Sequence, residues 1–102
     1  MAARPAIREC ARLVKDLGDK PVMLLRNHGG ITTGKTVGEA FVASFYLEKA
    51  CQFQILAQSA GVPLTMPADE IIAASGGRPA GDERAWPSLL RMLDRDDPSY
   101  RD

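Results

Sequence analysis

The spacing of apolar residues in the N-terminal part of the chain predicts a helix followed by a β-hairpin. Five residues recur at helical intervals: Ile7, Cys10, Ala11, Val14 and Leu17. Pro5 suits the first turn of this helix, and Gly18 suits the position just past its end. The apolar run PVMLLR, flanked by turn residues, predicts a buried strand, and the β-branched residues of ITTGK predict a second strand. The glycine-containing link between the two runs predicts a hairpin.

A long helix is predicted over residues 37–60. Thr36 and Glu39 form a T-x-x-E capping box in front of an apolar-rich segment. The apolar residues lie on more than one side of this helix: Phe41, Val42, Phe45, Tyr46, Leu47, Phe53, Ile55 and Leu56. A helix that is apolar on several sides is buried on several sides, and a small domain offers few surfaces to cover it. We therefore expect a partner chain or further segments to pack against it.

The C-terminal part of the chain predicts two more helices and a tail. A short helix is expected near 67–75, stopped by Gly76 and Gly77, and RPAGD is read as a linker. The last helix falls within ERAWPSLLRMLDRDDPSY, where Pro87 either opens or kinks it. Its apolar face is formed by Leu89, Leu90 and Leu93. Residues 97–102 are expected to be a flexible tail. The predicted elements are those of an α/β chain with one hairpin and about four helices. Two strands do not make a stable sheet alone.

Composition limits the chain to one domain and excludes some classes of partner. The 102 residues carry 13 basic and 13 acidic side chains, so the net charge is zero. No basic stripe for nucleic acid and no polybasic patch for a membrane surface is present. Apolar runs reach only about five residues, far below the ~20 of a membrane span. The N-terminus lacks the apolar core of a signal peptide, and Cys10 and Cys51 are expected to be buried free thiols, so the cytoplasm is the expected location.

The stretch HGGITTGKT, residues 28–36, matches two incompatible patterns. From Gly29 onward it has the letters of a phosphate-binding loop, which would place Lys35 on the phosphates and Thr36 on Mg²⁺. Such a loop also needs an Asp after a second apolar strand and a sheet of several βα units, and the chain after residue 61 offers neither. The structural alternative makes the glycines a hairpin turn, leaves Lys35 in solvent and uses Thr36 as a helix cap. This alternative needs no ligand and is favoured.

His28 is the one histidine of the chain and the candidate metal ligand. A lone histidine on a turn is usually exposed or bonded to a backbone group, and that alternative stays open on spacing alone. A zinc site uses three or four protein ligands, and this chain offers one His and two distant Cys. The chain therefore does not supply a complete site.

A longer run of residues, LLRNHGGITTGKTVGEAFVASFYLEKACQFQILAQSAG, resembles the class II aldolase/adducin head family. The core of the resemblance is Asn27-His28-Gly29, then Gly34, Glu39-Ala40-Phe41 and Leu47-Glu48-Lys49-Ala50-Cys51. The ending LLRMLDRDDPSYRD is similar to the closing segment of bacterial members. The resemblance implies a three-layer α/β/α fold around a mainly antiparallel sheet, of which this chain would be an incomplete C-terminal portion. It also implies homotetramers with active sites at subunit interfaces.

Enzymatic members of this family are zinc-dependent sugar-phosphate aldolases and epimerases. The resemblance implies that His28 is one of three histidine ligands, the other two forming an upstream His-x-His pair, with a catalytic Glu further upstream. Neither element exists in this chain, so no catalytic residue is assigned. The implied reaction is aldol cleavage, in which the metal polarises a ketose carbonyl and stabilises an enediolate while a carboxylate moves the proton. Asn27 would shape the turn, and Tyr100 is a candidate to cover a site, against the alternative of a mobile tail aromatic.

Three functions of different classes follow. The first is a portion of a zinc-dependent aldehyde-lyase, inactive as this chain alone unless a second chain completes it, with a sugar-phosphate-like substrate. The second is a non-catalytic, adducin-head-like module for self-association. The third is a nucleotide-binding domain built on the phosphate-loop letters of residues 29–36.

Overall fold

The computed structural model describes residues 5–76 and 82–102. Along the chain, helix α1 (Pro5–Leu17) leads into strands β1 (Val22–Leu25) and β2 (Gly29–Thr32). Three helices follow: α2 (Val37–Ser59), α3 (Asp69–Ser75) and α4 (Asp82–Asp96). A short 3₁₀ helix, Pro98–Arg101, ends the chain. The helix, hairpin and long-helix predictions are confirmed, and the described residues form part of an α/β fold.

The two strands pair antiparallel, with Val22 opposite Thr32 and Leu25 opposite Gly29. The second strand was predicted two residues too late, at ITTGK. The connecting turn needs only residues 26–28, so the glycines that looked like turn residues pair with β1 instead. Gly30 is suited to this place, because a Cβ there would lie 3.2 Å from the Leu47 Cδ2 atom of α2. The hairpin therefore fits closely against the long helix.

β1 was predicted to be a buried strand, and this prediction is wrong for the described residues. Leu24 is 64% exposed, whereas Val22, Met23 and Leu25 are partly covered. Within residues 5–76 and 82–102 the sheet has only these two strands. Since α2 contacts the hairpin and no further strand flanks it there, burial stays partial.

α2 begins where its cap predicted. Thr36 has an extended backbone, and its side-chain oxygen accepts the backbone N–H of Glu39 at 3.0 Å. The Glu39 carboxylate in turn accepts the backbone N–H of Lys35 at 2.9 Å. The first turn is also held to β2, because the Thr32 hydroxyl donates to the carbonyl of Ala40 at 2.9 Å. These bonds fix the angle between strand and helix.

α4 packs on the first part of α2 through the tryptophan of the chain. Trp86 lies directly on Gly38, and its ring centroid is 5.4 Å from that of Phe41. Pro87 lies inside α4 and does not open it. Leu89 and Leu90 of the predicted apolar face are half-buried, whereas Leu93, its third residue, is 40% exposed.

α3 is shorter than predicted and carries no buried residue. The predicted stop at Gly77 and most of the RPAGD linker lie outside the described residues. The predicted flexible tail forms the 3₁₀ helix, with the Asp97 side chain accepting the backbone N–H of Ser99 at 3.1 Å. Its flexibility stays a prediction.

The core is very small. Val42, 3% exposed, is the one large apolar side chain that is buried in the described part of the chain. The radius of gyration is 17.8 Å, against about 13 Å for a compact domain of ~100 residues. The cysteines predicted to be buried are not: Cys10 is exposed and Cys51 half-exposed, because too few elements surround α1 and the middle of α2. The layered α/β/α arrangement is therefore present only in part.

Candidate metal-binding turn

The residues that carry the metal hypothesis form the tip of the hairpin. The backbone N–H of His28 donates to the carbonyl of Leu25 at 3.3 Å, which closes a four-residue turn. Asn27, the third residue of that turn, has a φ of 59°. A positive φ at this position is what a type II turn requires, and Asn tolerates it better than most residues with a side chain. Asn27 thus sets the backbone that places His28.

His28 is exposed at the edge of a cleft of about 790 Å³ between α1 and β1. One wall comes from α1 and the other from β1 and the turn: Glu9, Arg12, Leu13, Asp16, Met23, Leu24, Leu25, Arg26 and His28. Two arginines and two carboxylates thus line the same cleft as the imidazole. Arg12 and Glu9 are already paired, at 2.6 Å. The sequence did not reveal this neighbourhood, because it depends on where α1 lies relative to the strand across the cleft.

The described residues do not complete a metal site around His28. In residues 5–76 and 82–102, no group of three or more His, Cys, Asp or Glu side chains is arranged to hold a metal ion. A zinc site uses at least three protein ligands, so His28 alone does not fit one. Any such site would need ligands from outside the described residues.

The residues that match the phosphate-loop motif, 29–36, form strand β2, the link after it and the cap of α2. Residues 29–32 form β2, and their extended backbone pairs with β1, whereas a phosphate loop must wrap around its ligand. Lys35 is exposed, and Thr36 caps α2. A cleft of about 370 Å³ does lie beside this corner, and its lining includes Lys20 and Lys35. The carboxylates of Asp19 and Glu39 line it as well and oppose the binding of a phosphate. The geometry therefore argues against nucleotide binding.

Tyr100, the other candidate, contacts α4. Its hydroxyl donates to Asp94, and Arg101 makes two bonds to the same carboxylate, Nε to Oδ1 at 2.8 Å and Nη2 to Oδ2 at 2.7 Å. The hydrogen bond from Tyr100 and then that from Arg101 hold the pKa of the partly covered Asp94 carboxyl below its ordinary value. The described side chains that line the His28 cleft do not include Tyr100. The structure therefore does not bring the two candidates together.

The Asp94 cluster was missed at the level of sequence. Asp94 and Arg101 are separated by a turn, so helical periodicity does not connect them. The one available signal was Asp97-Pro98, a capping residue followed by Pro at a helix start, which predicts a new turn after α4.

Known proteins are similar to this chain over most of its length. The family model described as Class II Aldolase and Adducin N-terminal domain matches residues 2–55, more than half of the chain. A Pseudomonas aeruginosa protein provisionally named a class 2 aldolase is 39% identical over 102 residues, covering 91% of this chain and 39% of that protein. Alpha-adducin of Rattus norvegicus is 35% identical over 98 residues, covering 78% of this chain and 13% of the adducin.

A solved structure shows the same relationship in three dimensions. The crystal structure of an aldolase II superfamily protein from Pseudomonas syringae matches with a TM-score of 0.77 and 47% sequence identity. The match covers 99% of this chain and 42% of that one. The chain thus spans well under half the length of the proteins that it resembles.

Proposed function

Since the chain belongs to the class II aldolase and adducin family, as its match over residues 2–55 shows, we propose that it supplies the histidine turn of a metal-dependent aldehyde-lyase. In this proposal His28 is one zinc ligand, and the other ligands come from outside the described residues. The activity of the completed protein is aldol cleavage of a sugar-phosphate-like substrate, and this chain alone is inactive. The observation that supports the proposal best is the Asn27-supported turn, which leaves the imidazole of His28 exposed beside a cleft.

The electrostatics of the cleft support a substrate of this class. Arg12 and Arg26 line it together with His28. Guanidinium groups suit phosphate oxygens because their N–H donors match the anion geometrically. Glu9 and Arg12 already form an ion pair, so Arg26 is the arginine that we assign to an anionic substrate group.

The test is to complete the protein and measure its metal. The 102-residue chain is co-expressed with the portion of the Pseudomonas syringae protein that it does not match, and zinc is measured in the purified complex. We expect about one zinc per site with the native chain and none with His28→Ala, because removing one of three ligands leaves an incomplete site. Lys35→Ala is the matched control and should keep its zinc, since Lys35 follows the opposite end of β2 and does not line the His28 cleft.

Two results would contradict the proposal. Zinc that survives His28→Ala would show that His28 is not a ligand. A complex that assembles without zinc and without aldol cleavage would favour the second candidate, an adducin-like assembly module. The identity to alpha-adducin over 98 residues is the observation that keeps this candidate open.

We further propose a cytoplasmic location. Cys10 and Cys51 are free thiols in the structure, and reduced thiols are typical of that compartment. No helix of residues 5–76 and 82–102 is long and apolar enough to cross a membrane.

A further inference from the structure

A small pocket lies between the first half of α2 and helix α4. Its volume is about 250 Å³, just below the ~300–1,000 Å³ of pockets that hold drug-sized ligands. The pocket is separate from the cleft beside His28. Its lining is mainly apolar and includes three aromatic rings, so it suits a molecule with one ring of its own. The main lining residues are Phe41, Phe45, Tyr46, Ala85, Ser88 and Leu89.

The aromatic walls of this pocket are held in place by contacts between rings. The ring centroid of Phe41 is 5.4 Å from that of Trp86, which itself lies on Gly38. Phe45 and Tyr46 meet edge to face, with their ring centroids 5.5 Å apart. Ring pairs of this geometry are favourable and hold the orientation of both partners. The pocket therefore exists without a ligand, as most small-molecule sites do.

Each of the two helices places one positive charge beside the pocket. Lys49 follows Phe45 by one turn on the same side of α2, and its Nζ atom lies 5.7 Å from the centre of the Phe45 ring. On α4, the Nη2 atom of Arg91 donates to the hydroxyl of Ser88 at 2.9 Å. Within residues 5–76 and 82–102, neither Lys49 nor Arg91 forms an ion pair with a described carboxylate. The neighbouring carboxylate, Glu48, is bonded to the next turn of α2 instead. Both cations are therefore available to an anion.

We infer that this pocket binds a small aromatic acid, whose ring lies against the three aromatic walls and whose carboxylate pairs with Lys49. The ring matches the walls, and the anion matches the unpaired ammonium at their edge. The positive charge of Arg91 adds to the attraction at longer range. A protein partner is a poorer match, because a stable interface uses about 800 Å² from each side whereas this pocket holds one ring. The site does not involve His28 and does not depend on the metal proposal.

The test is ligand-observed ¹⁹F NMR on this chain, with 4-(trifluoromethyl)phenylacetate as the probe and 4-(trifluoromethyl)benzyl alcohol as its neutral counterpart. For a ligand of this size we expect a dissociation constant on the order of 1 mM for the acid. Removing the charge from either side should weaken binding by about 10-fold, both for the alcohol on the native chain and for the acid on Lys49→Gln. The alcohol should bind the native chain and Lys49→Gln equally. Lys15→Gln is the matched control, since it removes one exposed charge from α1 and should leave the acid unaffected.

A second variant tests the location of the site. Ala85→Phe attaches a ring inside the pocket, so it should abolish the binding of both probes while the helical circular-dichroism signal is kept. The Lys49→Gln comparison does not depend on how well this variant folds. A native chain that binds neither probe, equal binding of the acid and the alcohol, or binding that survives Ala85→Phe overturns the inference. Binding that disappears when the remaining portion of the Pseudomonas syringae protein is added also overturns it, because that portion then occupies the pocket.

Discussion

The close contact between Gly38 and Trp86 allows a sharp test of how α4 packs on α2. Gly38 is a buried residue in the first turn of α2. A Cβ at this position would lie 2.7 Å from Cγ and 3.0 Å from Cβ of Trp86. Carbon atoms pack best at about 3.5–4.0 Å, so Gly38→Ala creates an overlap of up to roughly 1 Å. The added Cβ overlaps the atoms of Trp86 that lie nearest to its backbone, so a rotation of the ring does not relieve the overlap.

Two opposing effects set the sign of this substitution. Replacing Gly by Ala in a helix normally stabilises it by up to about 1 kcal/mol. Overpacking a close contact costs about 1–3 kcal/mol, and here α4 must move as a whole. We therefore expect Gly38→Ala to lower the free energy of unfolding by about 1–2 kcal/mol, against the usual direction of a Gly→Ala change.

Trp86 itself reports the result, because it is the one tryptophan of the chain. Urea titrations at one fixed protein concentration give the free energy of unfolding, and the emission maximum reports whether the half-buried ring has moved into water. We expect a red shift and a lower midpoint for Gly38→Ala. Gly76→Ala is the control, since a Cβ there meets nothing closer than 3.6 Å. A Gly38→Ala chain that is more stable, with unchanged emission, would refute the described packing.

Three further predictions concern the cap, the turn and the tail. Thr36→Ala should lower the free energy of unfolding by about 1 kcal/mol, seen as a lower thermal midpoint of the helical circular-dichroism signal, and Thr36→Ser should restore that midpoint. Equal midpoints for the native chain and Thr36→Ala would contradict the cap. Asn27→Val should destabilise the hairpin by about 1–2 kcal/mol while Asn27→Gly is tolerated, as judged by urea titration, because only the former resists a positive φ. The Asp94 pKa is lowered in the folded chain, so its contact with Tyr100 is fully present above the ordinary carboxyl pKa. It should be lost as pH falls through the lower folded value. The ring NMR signals of Tyr100 should shift with pH as Asp94 titrates. This pH-dependent shift should be absent in Asp94→Asn and present in Asp96→Asn.

The elements whose ends are marked by local chemistry were predictable. α1 ends at Leu17 before Gly18, which has a φ of 59°, and α2 starts after the Thr36 cap, as the sequence indicated. The start of β2 was predicted two residues too late because consecutive glycines such as Gly29 and Gly30 are typical of turns. Their place in the strand depends on a three-residue turn and on the close approach of Leu47, which only the folded chain shows.

Burial was the least predictable property. Leu24 and Cys10 belong to apolar patterns, yet both are exposed in the described chain. An apolar pattern shows which side of an element prefers cover, but the cover must come from another element. The chain spans 42% of the solved relative, so we expect elements outside the described residues to supply part of that cover.

The sequence placed His28 in the hairpin turn, and the structure confirms this position, whereas its role as a metal ligand stays a prediction. The turn consists of residues 26–28 with a positive φ at Asn27, and Gly29, which was predicted to be a turn residue, lies in β2. Arg12 and Arg26 line the same cleft as His28 because α1 forms one side of that cleft and β1 with the turn forms the other. Residues that meet through tertiary packing have no fixed spacing in the sequence, so no motif could have indicated them.

The proposed function is tested most directly by whether the imidazole of His28 binds the metal. Because His28 is the one histidine of the chain, labelling this chain with ¹⁵N-histidine and leaving the complementing portion unlabelled gives the two nitrogen signals of a single ring. On addition of zinc to the complex, we predict that one of the two nitrogen signals shifts to the range of a coordinated imidazole, at about one zinc per site. Two nitrogen signals that stay unchanged while the complex takes up zinc would show that His28 is not a ligand.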